Sequence, residues 1–380
     1  MMMARQNIST VVLSAGGTGG HLFPAQALAQ ELNRRQCRTV LITDERGLKW
    51  RDSFPDTEVY AVPSGTTEQA GWMNRIRAVI QLTLGTLKAW GVMRRKRPAL
   101  VIGFGGYPML PALFAGLMSG RLTAIHEQNA VMGRANRLVA PRVKGIALTF
   151  ADPKFLRPAD RIKADVTGNP VRDNVIEAGR LAYTAPGKQS PINLLVFGGS
   201  QGARILSDVV PAAMAMLPDT IASRLRVTQQ CREDDLSAVQ ESYAQAGMSV
   251  ELGTFFADLP QRMAEAHLII CRSGASTVCE LSVIGRPAIL IPLSGTLDGD
   301  QAANARVLVE AGGGWIIDEK ALTSEDLAKL ISDLLSAPSD LAQVASAAKA
   351  QGRPDAVRAL ADMVERLLAG QSPQSHLETA

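Results

Sequence analysis

Short apolar runs of strand length alternate with stretches whose apolar positions recur at helical spacing along almost the whole chain. A first series of strands is expected at Thr10–Ser14, Thr39–Thr43, Val59–Val62, Leu100–Gly103, Leu122–Glu127 and Gly145–Leu148. A second follows at Ile192–Phe197, Arg226–Gln230, Ser249–Leu252, Leu268–Cys271, Ala288–Ile291 and Gly314–Ile317. Helical patterns such as Pro24–Arg35, Gly202–Leu217 and Gln301–Glu310 lie between them. This alternation predicts an α/β protein of parallel sheets joined by crossover helices. Each series opens on the same unit, an apolar strand that ends in paired glycines and turns helical: Val11–His21 in the first, Leu194–Ala203 in the second. Glycine there lets a ligand approach the backbone, and the helix start offers unpaired N–H groups to an anion. Two such units imply two lobes facing a cleft, an arrangement suited to moving a group between two bound substrates.

The strand series divide the chain into residues 1–165 and 166–352, with the junction near Arg161–Pro170 and a Pro/Gly/Ser-rich stretch, Ala185–Pro191, leading into the second set. Asp355–Leu368 carries an apolar stripe of Val357, Leu360, Met363, Leu367 and Leu368, a helix able to pack on either lobe. Residues 353–370 are able to pack back on the first domain, and 371–380 are expected as a disordered polar tail.

Length and composition agree with this plan. A chain of 380 residues suits two domains, and 46% hydrophobic with 20% charged residues is ordinary for a globular enzyme. Forty Lys plus Arg against 36 Asp plus Glu leave a net charge of only +4, too slight for a protein that tracks nucleic-acid phosphates. Cys37, Cys231, Cys271 and Cys279 have no metal-ligand spacing and read as reduced thiols. Met1–Thr10 lacks the apolar core of a signal peptide, and no run is apolar enough for a membrane span.

The first glycine turn invites a dinucleotide-binding reading, with Asp44 at the end of the next strand as the ribose acid. The G-x-G-x-x-G fingerprint fails, since after Gly17 and Gly19 the third glycine position is Leu22. No Gly-Lys-Ser/Thr follows either turn, so a P-loop fails too. What remains is close-approach geometry with His21 at the helix start, either a packing residue or a catalytic one. A further turn, Gly103–Pro108, precedes the polar cluster His126-Glu127-Gln128-Asn129 at a strand's carboxyl end, where ligands of open α/β sheets bind. In the second lobe, Arg272–Glu280 follows a strand, with Gly274 opening a helix and Glu280 about a turn inside it as a carboxylate for vicinal ribose hydroxyls. Asp298–Ala305 starts another helix. Asp298 and Asp300 have metal-pair spacing but precede that helix and read better as caps, so metal-independent chemistry without a cofactor is expected.

Between these sites Gly71–Leu84 continues through Lys88 and Trp90 to the basic run Arg94–Arg97. It is apolar over most turns and basic at its end. Composition leaves two readings open, a buried helix with a solvated terminus and an interfacial helix meeting an anionic membrane through Trp72–Arg97.

Taken in order, Gly16–His21, Gly103–Pro108, His126–Asn129, Gly168–Arg172, Gly198–Ala203, Arg272–Glu280 and Asp298–Asn304 make the chain similar to the bacterial MurG family, the N-acetylglucosaminyltransferases of peptidoglycan synthesis. The resemblance spans nearly the whole sequence. It implies a GT-B fold of two Rossmann-like domains, acceptor binding mainly in the first and UDP-GlcNAc binding mainly in the second. It also implies inverting transfer of GlcNAc to the C4 hydroxyl of the MurNAc-pentapeptide of lipid I, giving lipid II, on the cytoplasmic face of the inner membrane. By family pattern Thr18, Gly19, Gly20 and Asn129 face the substrates from the first lobe, and Arg172 and Ser200 contact the nucleotide sugar. Phe256 lies at the uracil, Ala275, Ser276, Thr277, Val278, Cys279 and Glu280 surround the nucleoside, and Gln301 reads the GlcNAc hydroxyls. Asp300 departs from the pattern, since relatives often carry His there.

The reaction needs a base for the acceptor hydroxyl and stabilisation of departing UDP. His21 is the expected base, Glu127 the alternative and His126 a weaker third. Two other classes stay open: a nicotinamide-dependent oxidoreductase, opposed by the broken fingerprint, and a non-catalytic nucleotide-sugar binding module.

Overall fold

The computed structural model describes residues 9–17, 19–65, 72–199 and 202–372. Two parallel sheets organise them. The first holds β1 (Thr10–Ser14), β2 (Arg38–Thr43), β3 (Thr57–Ala61), β4 (Leu100–Gly103), β5 (Leu122–Glu127), β6 (Gly145–Leu148) and β7 (Ala164–Val166), in the spatial order β3-β2-β1-β4-β5-β6-β7. The second holds β8 (Ile192–Phe197), β9 (Leu225–Gln230), β10 (Val250–Gly253), β11 (Leu268–Cys271), β12 (Ala288–Leu290) and β13 (Trp315–Ile316), in the order β10-β9-β8-β11-β12-β13. The central strands are continuous apolar runs because helices cover both faces. Val11, Val12 and Leu13 of β1 and Leu268, Ile269 and Ile270 of β11 are all fully buried.

Two compact units result, one formed by residues up to Arg172 together with those from Asp355 onward, the other by Asp173–Pro354. Observed strand ends lie within two residues of those expected from the apolar runs. The sequence pattern misses β7, which crosses the expected junction. Only three residues long with Asp165 at its centre, it leaves no apolar run to read.

The helix Ala356–Leu368 completes the first unit's core. Its Leu360, Ala361, Met363, Val364 and Leu367 cluster with Val11, Leu13, Leu28 and Leu32. The approach is tight enough that a Cβ on Gly145 would lie 2.6 Å from Met363 Cε. Arg35 holds the same helix from outside through Asp362 at 2.6 Å and Glu365 at 3.0 Å, and Arg366 pairs with Asp165.

The segment before β4 forms α2 (Trp72–Lys96), one face of which is buried. Ala78, Gly85, Thr86, Ala89, Val92 and Met93 point inward, and a Cβ on Gly85 would meet the Pro63 carbonyl oxygen at 2.0 Å. The other face keeps Trp72, Met73, Ile76, Val79, Ile80, Leu84 and Leu87 at least 50% exposed, a single stripe at helical spacing. No helix among the described residues is long and apolar enough to cross a membrane.

Leu360 is fully buried, so Leu360→Ala should cost about 2–5 kcal/mol. Amide exchange should accelerate in β1, β4 and β6 and not in β8 to β13, whereas uniform acceleration would contradict the assignment of this helix to the first unit.

Candidate active site

In each sheet the direction of winding reverses once. The strands at the reversal are β1 and β4 in the first unit, paired Ser14 to Gly103, and β8 and β11 in the second, paired Phe197 to Cys271. Loops leaving such strands diverge and open a crevice at their carboxyl ends. Both glycine turns sit there.

In the first unit the turn after β1 is packed from below. A Cβ on Gly16 would lie 2.6 Å from Pro108 Cβ and 2.9 Å from Asp44 Oδ1. Asp44, buried at the end of β2, accepts hydrogen bonds from Gly17 N at 3.1 Å and Gly47 N at 3.0 Å and pairs with Arg46 at 3.0 Å. Its carboxylate is thus committed to its own loops, which removes the ribose acid that a dinucleotide site requires.

α1 (Gly19–Arg34) begins the next crossover and carries His21 in its first turn. His21 Nδ1 lies 2.9 Å from Gln128 Oε1, and Gln128 Nε2 donates to the Phe104 carbonyl at 2.8 Å. The imidazole rests against Gly105 and Gly106, whose backbones have φ of 82° and 69°. A Cβ on either would come within 3.3 Å of the ring. Glycine is required there twice, for the left-handed backbone and for the space.

The neighbouring cluster divides its labour. Glu127 is buried, and its carboxylate accepts from Asn129 N at 2.9 Å, Gly133 N at 2.8 Å and Asn136 Nδ2 at 2.7 Å, with Asn129 Nδ2 at 3.4 Å. Burial pushes its pKa up and these hydrogen bonds oppose that. Both oxygens clamp the loop after β5, which presents Asn129. His126 is fully buried, its Nε2 3.0 Å from the Gly168 carbonyl, and burial lowers its pKa to about 4. It stays neutral at physiological pH, enclosed in the core.

Arg172 stacks over the Phe23 ring at 4.7 Å from its centroid, and Phe23 in turn meets Trp50 edge-on at 5.1 Å. A Cβ on Gly19 would lie 2.9 Å from the same Phe23 ring. Arg172, Phe23 and Gly19 therefore form one wall of the first unit.

In the second unit the turn after β8 is equally crowded. A Cβ on Gly198 would meet Ala203 N at 2.4 Å, and Gly198 N donates to Gln230 Oε1 at 3.3 Å. Gln230 Nε2 donates to Thr254 O at 3.0 Å, so one amide side chain ties the ends of β8, β9 and β10 together. After β11, Gly274 caps the helix Ala275–Ile284, and a Cβ on Gly274 would meet nothing within 4 Å. Ala275, Ser276 and Thr277 form the helix's first turn, followed by Val278, Cys279 and the buried Glu280.

Gln301, in the helix Asp300–Glu310, accepts from Leu293 N at 3.0 Å through its side-chain oxygen, while its carbonyl accepts from Ser273 Oγ at 2.9 Å. With its oxygen held by Leu293 N, the amide's orientation is fixed. Neither aspartate caps that helix as expected: Gly299 is its N-cap, with no side-chain hydrogen bond, and Asp300 is its first residue, where a carboxylate complements the dipole. Phe256, half-buried after β10, carries Arg262 over its ring at 4.5 Å. Arg272 is turned inward to the Ile291 carbonyl and Glu319.

Thr18 and Ser200 lie outside the described residues. The structure gathers His21, Gly19, Gly20, Glu127 and Asn129 around the β1/β4 reversal, and Ala275–Glu280 with Gln301 around β11 and β12. Gln128 and Gln230 acquire a role only in the fold. Their signal in the sequence was position alone, one residue past or at the end of a strand.

The sequence matches the glycosyltransferase family 28 N-terminal domain over residues 11–148 and the C-terminal domain of that family over residues 193–360. It is 45% identical over 362 residues to the UDP-N-acetylglucosamine--N-acetylmuramyl-(pentapeptide) pyrophosphoryl-undecaprenol N-acetylglucosamine transferase of Paramagnetospirillum magneticum, covering 95% of this chain and 98% of that one. The protein of the same name from Mesorhizobium japonicum is 48% identical over 357 residues, covering 94% of this chain and 95% of that one. Among solved structures, MurG of Acinetobacter baumannii superposes with a TM-score of 0.76 at 28% identity, covering 94% of this chain and 99% of that one. The calicheamicin glycosyltransferase CalG4, at 14% identity and a TM-score of 0.64, shares the fold over 96% of this chain and 99% of its own.

Burial of a neutral His126 gives the unfolded chain the greater proton uptake between pH 6.5 and about 4. Stability should therefore fall as pH drops through that window, by up to about 3 kcal/mol at 1.36 kcal/mol per unit, and then level off. Urea unfolding at stepped pH measures it. His126→Asn should flatten this part of the profile, and an unchanged slope would contradict the burial argument.

Proposed function

The chain belongs to glycosyltransferase family 28, and on that premise we propose how its residues share the reaction. The enzyme has the GT-B fold and transfers GlcNAc from UDP-GlcNAc to lipid I, forming lipid II in peptidoglycan synthesis. The sugar's anomeric carbon is attacked in line by the C4 hydroxyl of MurNAc, so one displacement inverts its configuration. The new C1–O bond forms as the bond to UDP breaks, and the electron pair leaves with the diphosphate. The acceptor's proton passes to His21. The observation that carries this role is the imidazole's position at the β1/β4 reversal, wedged between two glycines and Gln128.

Thr18, Gly19, Gly20 and Asn129 line the substrates on this side, with Glu127 acting through the loop that presents Asn129. In the second unit Ser200 contacts the nucleotide sugar, and the helix starting at Ala275 meets the diphosphate with backbone N–H groups, a preorganised stabilisation of the developing charge. Ser276, Thr277, Val278 and Cys279 continue that wall. Glu280 takes the ribose hydroxyls, Phe256 lies at the base, Gln301 donates to the GlcNAc hydroxyls and Arg172 meets the nucleotide sugar. This chemistry asks for no metal.

The acceptor hangs from a lipid, and the exposed stripe of α2 supports docking on an anionic membrane at the cytoplasmic face of the inner membrane. Its apolar face dips among acyl chains. The sequence placed the cations at Arg94–Arg97, yet Lys96 pairs with Glu58 at 2.6 Å, Arg94 stacks on Trp90 and Arg95 on Tyr60. Arg75, Arg77 and Lys88, exposed along α2 itself, are better placed for headgroups.

With a lipid I analogue and labelled UDP-GlcNAc, His21→Gln should lower kcat by about 10²–10⁴. Turnover close to wild type, with Glu127→Gln inactive, would transfer the role to Glu127. Replacing Ile76, Ile80 and Leu84 together by Ser should weaken sedimentation with phosphatidylglycerol vesicles by about tenfold or more. Unchanged binding would overturn the docking face.

A further inference from the structure

A neutral imidazole carries one proton on two nitrogens, and only the bare nitrogen can act as a base. Which one is bare is set by the hydrogen bond the other makes. At His21 that bond is fixed by a chain of contacts that starts in the sheet. Phe104 N donates to the Ser14 carbonyl at 2.9 Å, extending the β1/β4 pairing by one residue. The Phe104 carbonyl can only accept, so the group of Gln128 that meets it at 2.8 Å must be the NH2. Gln128 is buried with 3% of its surface exposed and presents its Oε1 to His21 Nδ1 at 2.9 Å. An amide oxygen cannot donate, so Nδ1 must carry the proton.

Gly105 and Gly106 leave the space that the ring occupies in this register. Cβ atoms there would come within 3.3 Å of its Cε1, Nδ1, Cδ2 and Nε2 atoms, and glycine's absent side chain is what lets the ring lie flat against the turn.

We propose that Gln128 is a positioning residue for the transfer, holding the proton of neutral His21 on Nδ1 and making Nε2 the atom that receives the acceptor's hydroxyl proton. The inference rests on the reading of His21 as the base. An amide suits this duty because it sets the tautomer without pairing a negative charge to the ring. A carboxylate at the same place would hold the imidazole protonated to higher pH and withdraw the base near neutrality. The same geometry explains why a conservative change at residue 128 would alter chemistry more than binding, since Gln128 reaches the reacting atoms only through His21.

The test is long-range 1H–15N correlation on the imidazoles of protein labelled at its four histidines, with His21→Gln identifying the His21 signals. Wild type is expected to show the pattern of a neutral ring protonated on Nδ1. Gln128→Met should shift it toward Nε2 protonation, lower kcat by about 10- to 100-fold, within the general-base contribution, and leave KM for UDP-GlcNAc within about twofold. Gln128→Glu should move the acidic limb of the kcat profile upward by about one pH unit or more. A wild-type His21 protonated on Nε2 overturns the proposal without needing any variant to fold. So does Gln128→Met with an unchanged spectrum and kcat. If His21→Gln itself keeps wild-type turnover, the base assignment falls instead, and the two failures are distinguished.

Discussion

Reversal of winding within a parallel sheet is the constraint from which the rest follows. Where β1 and β4 run side by side, their crossovers depart to opposite faces, and the carboxyl ends between them have no connection above. Side chains and backbone amides can converge there without filling a core. The glycines occur where backbone must pass backbone or a ring at van der Waals distance. Gly16 against Pro108, Gly105 and Gly106 against His21, and Gly198 against Ala203 are the cases at the two reversals. The same reversal at β8 and β11 builds the second unit's site from the same materials.

The two sites then diverge through what each reversal is given to hold. In the first unit, buried polar side chains are spent on orienting others. Asp44 fixes the turn after β1, Glu127 the loop after β5, and Gln128 the imidazole, while burial keeps His126 neutral. The loop that Glu127 clamps presents Asn129, and Gln128 holds the His21 ring in the first turn of α1. In the second unit the comparable work falls to Gln230, which ties the ends of β8, β9 and β10, and to Ser273, which donates to the Gln301 carbonyl.

Much of this was legible in the sequence because it depends on local pattern. Apolar runs located the strands, paired glycines marked both reversals, and His21 and Glu127 stood out by position. The rest depends on partners distant in sequence. Asp44 resembles a ribose acid until its contacts with Gly17, Gly47 and Arg46 are seen. Gln128 is one polar residue among four until Phe104 orients it. β7 is too short and too polar at Asp165 to produce a period. Helix α2 is apolar around most of its circumference, so periodicity could not tell which face is covered. The crossing of Gly85 over Pro63 decides that. The basic run at its end drew attention to Arg94–Arg97, and only the fold reveals that Glu58, Trp90 and Tyr60 engage most of it.

The donor site proposed above lies at the β8/β11 reversal of winding. Amide hydrogen exchange with and without saturating UDP-GlcNAc tests it most directly. The account predicts slowed exchange after β8 and β11, at Gly198–Ala203 and Ala275–Glu280, with the edge strands β10 and β13 unaffected. Protection confined to those edge strands, with amides at both reversals exchanging as in the unliganded protein, would contradict it.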